Sequence, residues 1–174
     1  MAFYLDTTHW ARRDAFEFFR QFDKPYFNVC VRLDVARLKA ALATRGGGGL
    51  SLACYFLALR LANVHEPLRE DGDSFFFAEF DHTTDFAAFA AQAGAAIDAA
   101  RTKRAPFEPR PDEVARVYFT SLPWLHFTSF SHARNWKGED SIPRFAFGRA
   151  QAEGGALWLP MSVEVHHALM DGVH

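Results

Sequence analysis

Near the end of the sequence, Val165-His166-His167-Ala168-Leu169-Met170-Asp171-Gly172 sets a histidine pair ahead of an aspartate and a turn-forming glycine. An imidazole with an ordinary pKa near ~6.5 is largely neutral at pH 7 and can accept the proton of a hydroxyl, provided something holds the correct tautomer. The stretch Met161 to His167 alternates as a strand does, so His166 and His167 leave the strand end on opposite faces and only one can enter a given pocket. Asp171, on the turn that follows, is placed to orient the surroundings of that ring. An isolated histidine pair at a strand end is more often packing or surface, and it is the strand before it and the Asp-Gly after it that favour chemistry. A zinc reading of the HExxH kind fails, because no glutamate lies inside the segment and His166, His167 and His174 lack helical metal spacing.

The elements that must position this segment can be read along the chain. Thr7-Thr8 can cap a helix carrying Trp10, Phe16, Phe18 and Phe19, whose phenylalanines crowd more than one face. Tyr26 to Leu33 partly alternates as a strand, and Asp34 then caps a helix with Val35, Leu38 and Leu42 at helical spacing. Gly46 to Gly49 break that helix, and Ser51 opens an apolar helix running to about Val64 before Pro67. The four glycines lack the Lys-Ser/Thr and the preceding strand of a P-loop, so they read as a connector. Asp85 caps an alanine-rich helix to about Arg104, followed by a proline-rich loop from Pro106 to Pro111. Four β-rich runs close the chain: Val114 to Thr120, Leu125 to Phe130, Arg144 to Gly148 and Ala156 to Val165. Mixed elements followed by strands predict an α+β fold, a mixed or largely antiparallel sheet with helices packed on it.

Composition sets the outer limits. A chain of 174 residues with 49% hydrophobic content is long enough for one domain with a core, and residues 1–174 are read as a single domain. Nineteen Lys and Arg against 21 Asp and Glu leave a net charge of -2, with no basic field for nucleic acid. Cys30 and Cys54 lie in apolar runs without ligand spacing and fit reduced, buried thiols. The longest apolar stretch, Leu50 to Leu59, falls far short of a membrane span, and no secretory leader opens the chain. A cytoplasmic protein with no membrane or nucleic-acid partner is the expectation.

Three separated motifs, in order, resemble the trimeric chloramphenicol acetyltransferases. His9-Trp10-Ala11-Arg12-Arg13-Asp14-Ala15-Phe16-Glu17-Phe18-Phe19 resembles the family's W-x-R-R-x-x-F-E-F-Y. Ser121-Leu122-Pro123-Trp124-Leu125-His126-Phe127-Thr128-Ser129-Phe130 resembles its S-x-x-P-W-x-x-F-x-S-F. Leu159 to Asp171 then carries the histidine motif. The terminal motif alone would fit dihydrolipoamide acyltransferases, peptide-synthetase condensation domains and plant acyltransferases equally; the Trp-Arg-Arg and Pro-Trp blocks favour this family.

The resemblance implies a coenzyme A-dependent acyltransferase fold, acetyl-CoA as co-substrate with no permanently bound cofactor, and a homotrimer with sites between subunits. It implies a small-molecule acceptor, chloramphenicol or a similar aromatic alcohol, and with it antibiotic resistance. His167 is the general base, Asp171 and Arg12 are its structural support, and Thr120 stands where the family has the serine hydroxyl that steadies the oxyanion. Phe18, Phe19, Phe75, Phe107 and Tyr118 match aromatic or polar positions of the acceptor wall. Tyr118 stands where asparagine is common, and Ala146 replaces a threonine that holds a water. The coenzyme channel is not mapped. Relative to the family, roughly two dozen residues are missing between Arg69 and Asp73, enough for a hairpin, and the chain stops before a last helix. Two further readings stay open: an acyltransferase of the same fold with another hydroxyl or dihydrolipoamide as acceptor, and an inactive trimeric binding protein.

Overall fold

A computed structural model of the chain describes residues 6–45, 48–58, 64–66, 78–81, 83–101, 116–134 and 140–174. In chain order these form α1 (Arg13–Phe19), β1 (Tyr26–Asp34), α2 (Ala36–Arg45), α3 (Leu50–Ala58), β2 (Val64–Glu66), β3 (Ala78–Glu79), α4 (Phe86–Arg101), β4 (Tyr118–Ser121), β5 (Arg144–Phe147), β6 (Gln151–Glu153) and β7 (Ala156–His166). The strands make one sheet in the order β1-β7-β5-β4-β2-β3, with β6 joined to β7.

The sheet is mixed, as the pattern of elements predicts. β7 pairs antiparallel with β1 over nine residues, from Tyr26 opposite His166 to Asp34 opposite Trp158, while β2, β4 and β5 run parallel. Gly154 and Gly155, both at positive φ, make the tight turn between β6 and β7, a backbone that L side chains rarely adopt.

Register sorts the strand residues into two faces. Phe119 on β4, Phe145 and Phe147 on β5 and Leu159 on β7 share a core with Val35, Cys54 and Tyr55 and with Phe89 and Ala93 of α4. Phe119 lies between Phe145 and Phe147, its ring centroid 5.3 and 6.3 Å from theirs, and Tyr55 closes on it from α3 at 5.6 Å. The described helices of this core therefore cover one face. The alternate residues, Tyr118, Thr120, Arg144, Ala146, Ser162 and Glu164, occupy the other, and there Ala146, Ser162 and Glu164 are also buried.

Several boundaries differ from the sequence reading. The first helix starts at Arg13, because Thr8 donates its N–H to Asp6 Oδ1 in a local turn and Arg12 is drawn toward the far end of the chain. Val64 belongs to a strand instead of ending α3, and 125–130 is irregular, tied into turns by Arg149 donating its N–H to the Leu125 carbonyl. The caps at Asp34 and Asp85 are present: their Oδ1 atoms accept the N–H groups of Ala36 at 3.0 Å and Ala88 at 2.8 Å. Cys54 is buried, which pushes its thiol up to about 11, whereas Cys30 is half-buried on the edge strand rather than in the core. No described helix is long and apolar enough to cross a membrane.

Candidate active site

The β1/β7 ladder delivers His167. One residue past the end of β7, its N–H donates to the Pro25 carbonyl at 2.6 Å, extending the ladder by one step before the chain turns. Its ring lies flat against Phe19, centroids 3.8 Å apart and planes within 9°, and meets Phe27 at 4.9 Å. Phe27 pairs with Val165, two residues earlier, so His167 leaves on the Phe27 face as alternation predicts. His166 goes the other way: its edge meets Tyr26 at 5.0 Å and its Nδ1 accepts the Ala168 N–H at 3.2 Å, a packing role.

Arg12 brackets the turn from the other end of the chain. Its Nη1 donates to Asp171 Oδ2 at 2.5 Å and its Nη2 to the His167 carbonyl at 3.3 Å. One planar guanidinium thereby holds both the anchor and the backbone of the candidate base. The pair is half-buried, with side-chain exposures of 18% for Arg12 and 33% for Asp171. The hydrogen bond from Arg12, followed by that from the Val173 N–H, holds the Asp171 carboxyl below its ordinary 3.8. His174 Nδ1 lies 2.9 Å from Asp171 Oδ1, engaging the carboxylate's second oxygen. Phe19, expected in an acceptor wall, thus stacks on the base, while Phe18 is 60% exposed and touches Phe19 and Phe22 edge-on.

Thr120 and Tyr118 sit elsewhere. Both are half-buried on β4, and Thr120 shares a row with Ala146 and Ser162. That row crosses β7 five residues before His167, roughly 16 Å along the strand, and two inter-strand steps of ~4.8 Å add to the separation. Thr120 also faces the side opposite His167. The structure therefore brings His167, Asp171, Arg12 and Phe19 together and puts Thr120 and Tyr118 together, but it does not join the two groups within one chain. Phe75 and Phe107 lie outside the described residues.

Beside Thr120, the same face carries an ionic cluster that the sequence reading missed. Arg134 donates through Nε to Glu164 Oε1 at 2.5 Å and through Nη1 to Asp140 Oδ2 at 3.3 Å. Arg144 donates to Asp140 Oδ2 as well, and Tyr26 gives its hydroxyl proton to the Asp140 carbonyl. The Arg134 guanidinium lies 3.5 Å from the Tyr26 ring centroid, and that of Arg144 lies 5.7 Å from Tyr118. His132 is half-buried nearby, and desolvation brings its imidazole down to about 4. A signal was available in the strands: Arg144 and Glu164 alternate with Phe145 and Val163, which assigns both charges to Thr120's face.

On the opposite face, Leu50, Ser51 and Cys54 of α3, Ser121 at the end of β4, and Gly148 and Arg149 line a cavity of about 110 Å³. Gly148 has no room for a side chain, since a Cβ there would lie 2.6 Å from the Leu125 carbonyl oxygen and 2.7 Å from Pro160.

The sequence model of a family described as chloramphenicol acetyltransferase matches residues 64–174. Chloramphenicol acetyltransferase 2 of Escherichia coli is 29% identical over 196 aligned residues, covering 98% of this chain and 90% of the relative. The chloramphenicol acetyltransferase of Campylobacter coli is 26% identical over 98% of this chain and 91% of its own length. Among solved structures, a chloramphenicol acetyltransferase superposes with a TM-score of 0.81 at 21% identity, over all of this chain and 94% of its own. The dihydrolipoamide acetyltransferase of Azotobacter vinelandii superposes with a TM-score of 0.59 at 16% identity, over 92% of this chain and 80% of its own, so the fold is that of the coenzyme A-dependent acyltransferases.

Proposed function

Because the chain belongs to the chloramphenicol acetyltransferase family, we propose that it transfers the acetyl group of acetyl-CoA to a hydroxyl of chloramphenicol or of a similarly small aromatic alcohol. The observation that carries the reading is the Arg12 bracket, which fixes Asp171 and the His167 carbonyl at once and leaves the imidazole pressed between Phe19 and Phe27. A ring held this way has one direction in which to accept a proton. His167 Nδ1 is sealed from solvent, so Nε2 is the nitrogen that meets the substrate.

The chemistry balances on these groups. His167 Nε2 takes the hydroxyl proton as the acceptor oxygen bonds to the thioester carbon. The carbonyl oxygen becomes an oxyanion, and the Thr120 hydroxyl donates to it; one such donor is typically worth roughly 2.7–4 kcal/mol in the barrier. Collapse breaks the carbon–sulfur bond, and the imidazolium returns its proton to the departing thiolate. The products are the acetyl ester and free coenzyme A, with no covalent acyl-enzyme.

Thr120 and His167 are too far apart in one chain to act on one carbon, which supports a homotrimer whose sites lie between subunits, the base from one and the Thr120 face from its neighbour. The aligned span of the Escherichia coli relative exceeds the 174 residues of this chain, which supports an internal shortfall relative to the family. The segment between Arg69 and Asp73 where we place it lies outside the described residues. The reaction belongs in the cytoplasm, where acetyl-CoA is at hand, and acetylating the drug would amount to antibiotic resistance.

Thiol release from acetyl-CoA, measured with and without chloramphenicol, tests the proposal. We expect chloramphenicol-dependent release that drops by a factor of ~10²–10⁴ in His167→Ala. Absence of His167-dependent release with chloramphenicol would sink the substrate assignment, and absence with every hydroxyl and thiol acceptor would favour an inactive binding protein.

A further inference from the structure

Among the described residues, five buried side-chain nitrogens have no hydrogen-bond partner: Arg12 Nε, His167 Nδ1, His132 Nε2, Arg134 Nη2 and Arg144 Nη1. Native proteins pair the great majority of buried polar groups, because an orphaned donor costs roughly 1–3 kcal/mol, so each exception calls for a reason. Two of the five belong to the bracket around the base. The other three belong to the ionic cluster on Thr120's face of the sheet. Unpartnered nitrogens thus concentrate in the two places that the proposed reaction must bring together.

The cluster's composition narrows what can satisfy them. Guanidinium groups donate and never accept, so a partner for Arg134 Nη2 and Arg144 Nη1 must bring a lone pair, as a carbonyl oxygen does. Arg134 and Arg144 are matched by Asp140 and Glu164, with Arg134 only 3% and Glu164 8% exposed, so the cluster already balances its own charge; Arg144 Nη1 itself lies 4.0 Å from Glu164 Oε1, an ion-pair distance beyond hydrogen-bond reach. A further buried anion would sit beside two carboxylates, whereas a neutral carbonyl-type oxygen meets the free donors without that repulsion. Position agrees. Arg144 pairs with Tyr118, two residues before Thr120 on the adjacent strand, which puts its Cα roughly 8 Å from that of Thr120. That distance suits the length of a benzylic alcohol with one substituent at the far end of its ring. His132 and Arg134 come from the segment 122–134, which carries no helix or strand and so takes no part in a sheet ladder.

We propose that the acceptor of this chain carries a neutral hydrogen-bond-accepting oxygen at the end remote from its reacting hydroxyl, and that Arg144 Nη1 and Arg134 Nη2 recognise it. The inference rests on reading Thr120's row as the acceptor side. Arg134 and Arg144 are then specificity-determining residues, and an alcohol that is apolar throughout is the poorer substrate.

Three benzyl alcohols of matched shape test this on the full chain in its native assembly: 4-(hydroxymethyl)benzamide, 4-(hydroxymethyl)benzoate and 4-isopropylbenzyl alcohol. Calorimetric binding to the protein saturated with coenzyme A is read separately from turnover, so a failure of His167 chemistry and a failure of recognition remain distinct. The amide should bind at least about tenfold more tightly than the isopropyl compound and more tightly than the carboxylate. Arg144→Lys, which keeps a cation for Asp140 and removes the second nitrogen, should erase most of that preference. Where Arg144→Lys does not fold, the ranking of the three alcohols on the unaltered chain still decides. An isopropyl compound that binds as well as the amide overturns the inference, a carboxylate that binds best overturns its neutral character, and an unchanged preference in folded Arg144→Lys overturns the assignment to Arg144.

Discussion

The two halves of the proposed site are built on opposite plans. Around His167, aromatic rings and one half-buried guanidinium fix a single imidazole, with two Arg12 hydrogen bonds and one stacked face determining its direction. Around Thr120, a largely buried ionic network covers the neighbouring rows of the sheet and leaves two guanidinium donors and one imidazole nitrogen without a hydrogen bond. A base that moves protons needs its geometry held while its electronic state stays free to change, and stacked rings do that without adding charge. A surface that recognises a molecule needs directional groups held ready, and a network of mutually fixed ions supplies them. On the proposed reading the base stands on one face of the sheet, while the oxyanion donor Thr120 shares the other with the recognition cluster.

The largest test of that separation mixes two defective chains. Alone, His167→Ala should lose a factor of ~10²–10⁴ in rate and Thr120→Val about 10², because each lacks one half of every site. Unfolded together and refolded, they should recover activity, since a site between a chain with an intact His167 and one with an intact Thr120 is complete. Random assortment makes that about a quarter of the sites, each fully formed. Recovery would be measured as thiol release after separation of trimers. A mixture as inactive as either parent would place both groups in the same chain's site and break the comparison.

The next largest effect is on stability, and it separates the halves by pH. His132 is brought down to about 4 when folded and returns to its ordinary 6.5 when unfolded. The unfolded chain therefore binds the proton first as acid is added, and the fold loses stability from about pH 6.5 down to 4, by at most about 3 kcal/mol. The Arg12–Asp171 pair behaves differently. Its carboxyl is held below 3.8, so its contribution is intact above that pH and is lost only as pH falls further. Denaturant midpoints between pH 7 and 4 should fall for the unaltered chain and flatten in His132→Leu, while Asp171→Asn leaves that slope in place. A slope unchanged in His132→Leu would assign the acid sensitivity elsewhere.

How much of this was legible in the sequence follows the range of the forces involved. Local signals survived well: Asp34 and Asp85 cap α2 and α4, and strand alternation separates His166 from His167. The Arg12–Asp171 pair joins residues at opposite ends of the chain, and no local periodicity announces it; the family resemblance of the two motifs did. Start points and loops fared worse, because Arg12 is pulled out of a helix register by a distant carboxylate and 125–130 is fixed by contacts with Arg149 and not by its own β-rich composition. The ionic cluster was missed for a related reason. Arg134 and Asp140 come from segments without periodicity, and only their meeting with Arg144 and Glu164 turns four ordinary charges into one network.

The smallest effect is the most discriminating, because one substitution can be made in both halves. Arg12→Lys keeps a cation beside Asp171 but cannot hold the carboxylate and the His167 carbonyl in the same plane. The base should lose orientation and not affinity for its substrate, so kcat should fall by about tenfold for every acceptor alike, with KM little changed. Arg144→Lys removes the donor proposed to meet the acceptor's remote end. It should leave kcat near that of the parent and alter the ranking of acceptors. Steady-state constants for both variants on the amide and isopropyl alcohols provide the comparison. If Arg12→Lys changed the ranking, or if Arg144→Lys slowed both alcohols equally, orientation and recognition would not be divided between the two faces. The two lysine variants are informative together because each preserves its ion pair, so what remains different between them is what the second guanidinium nitrogen was doing.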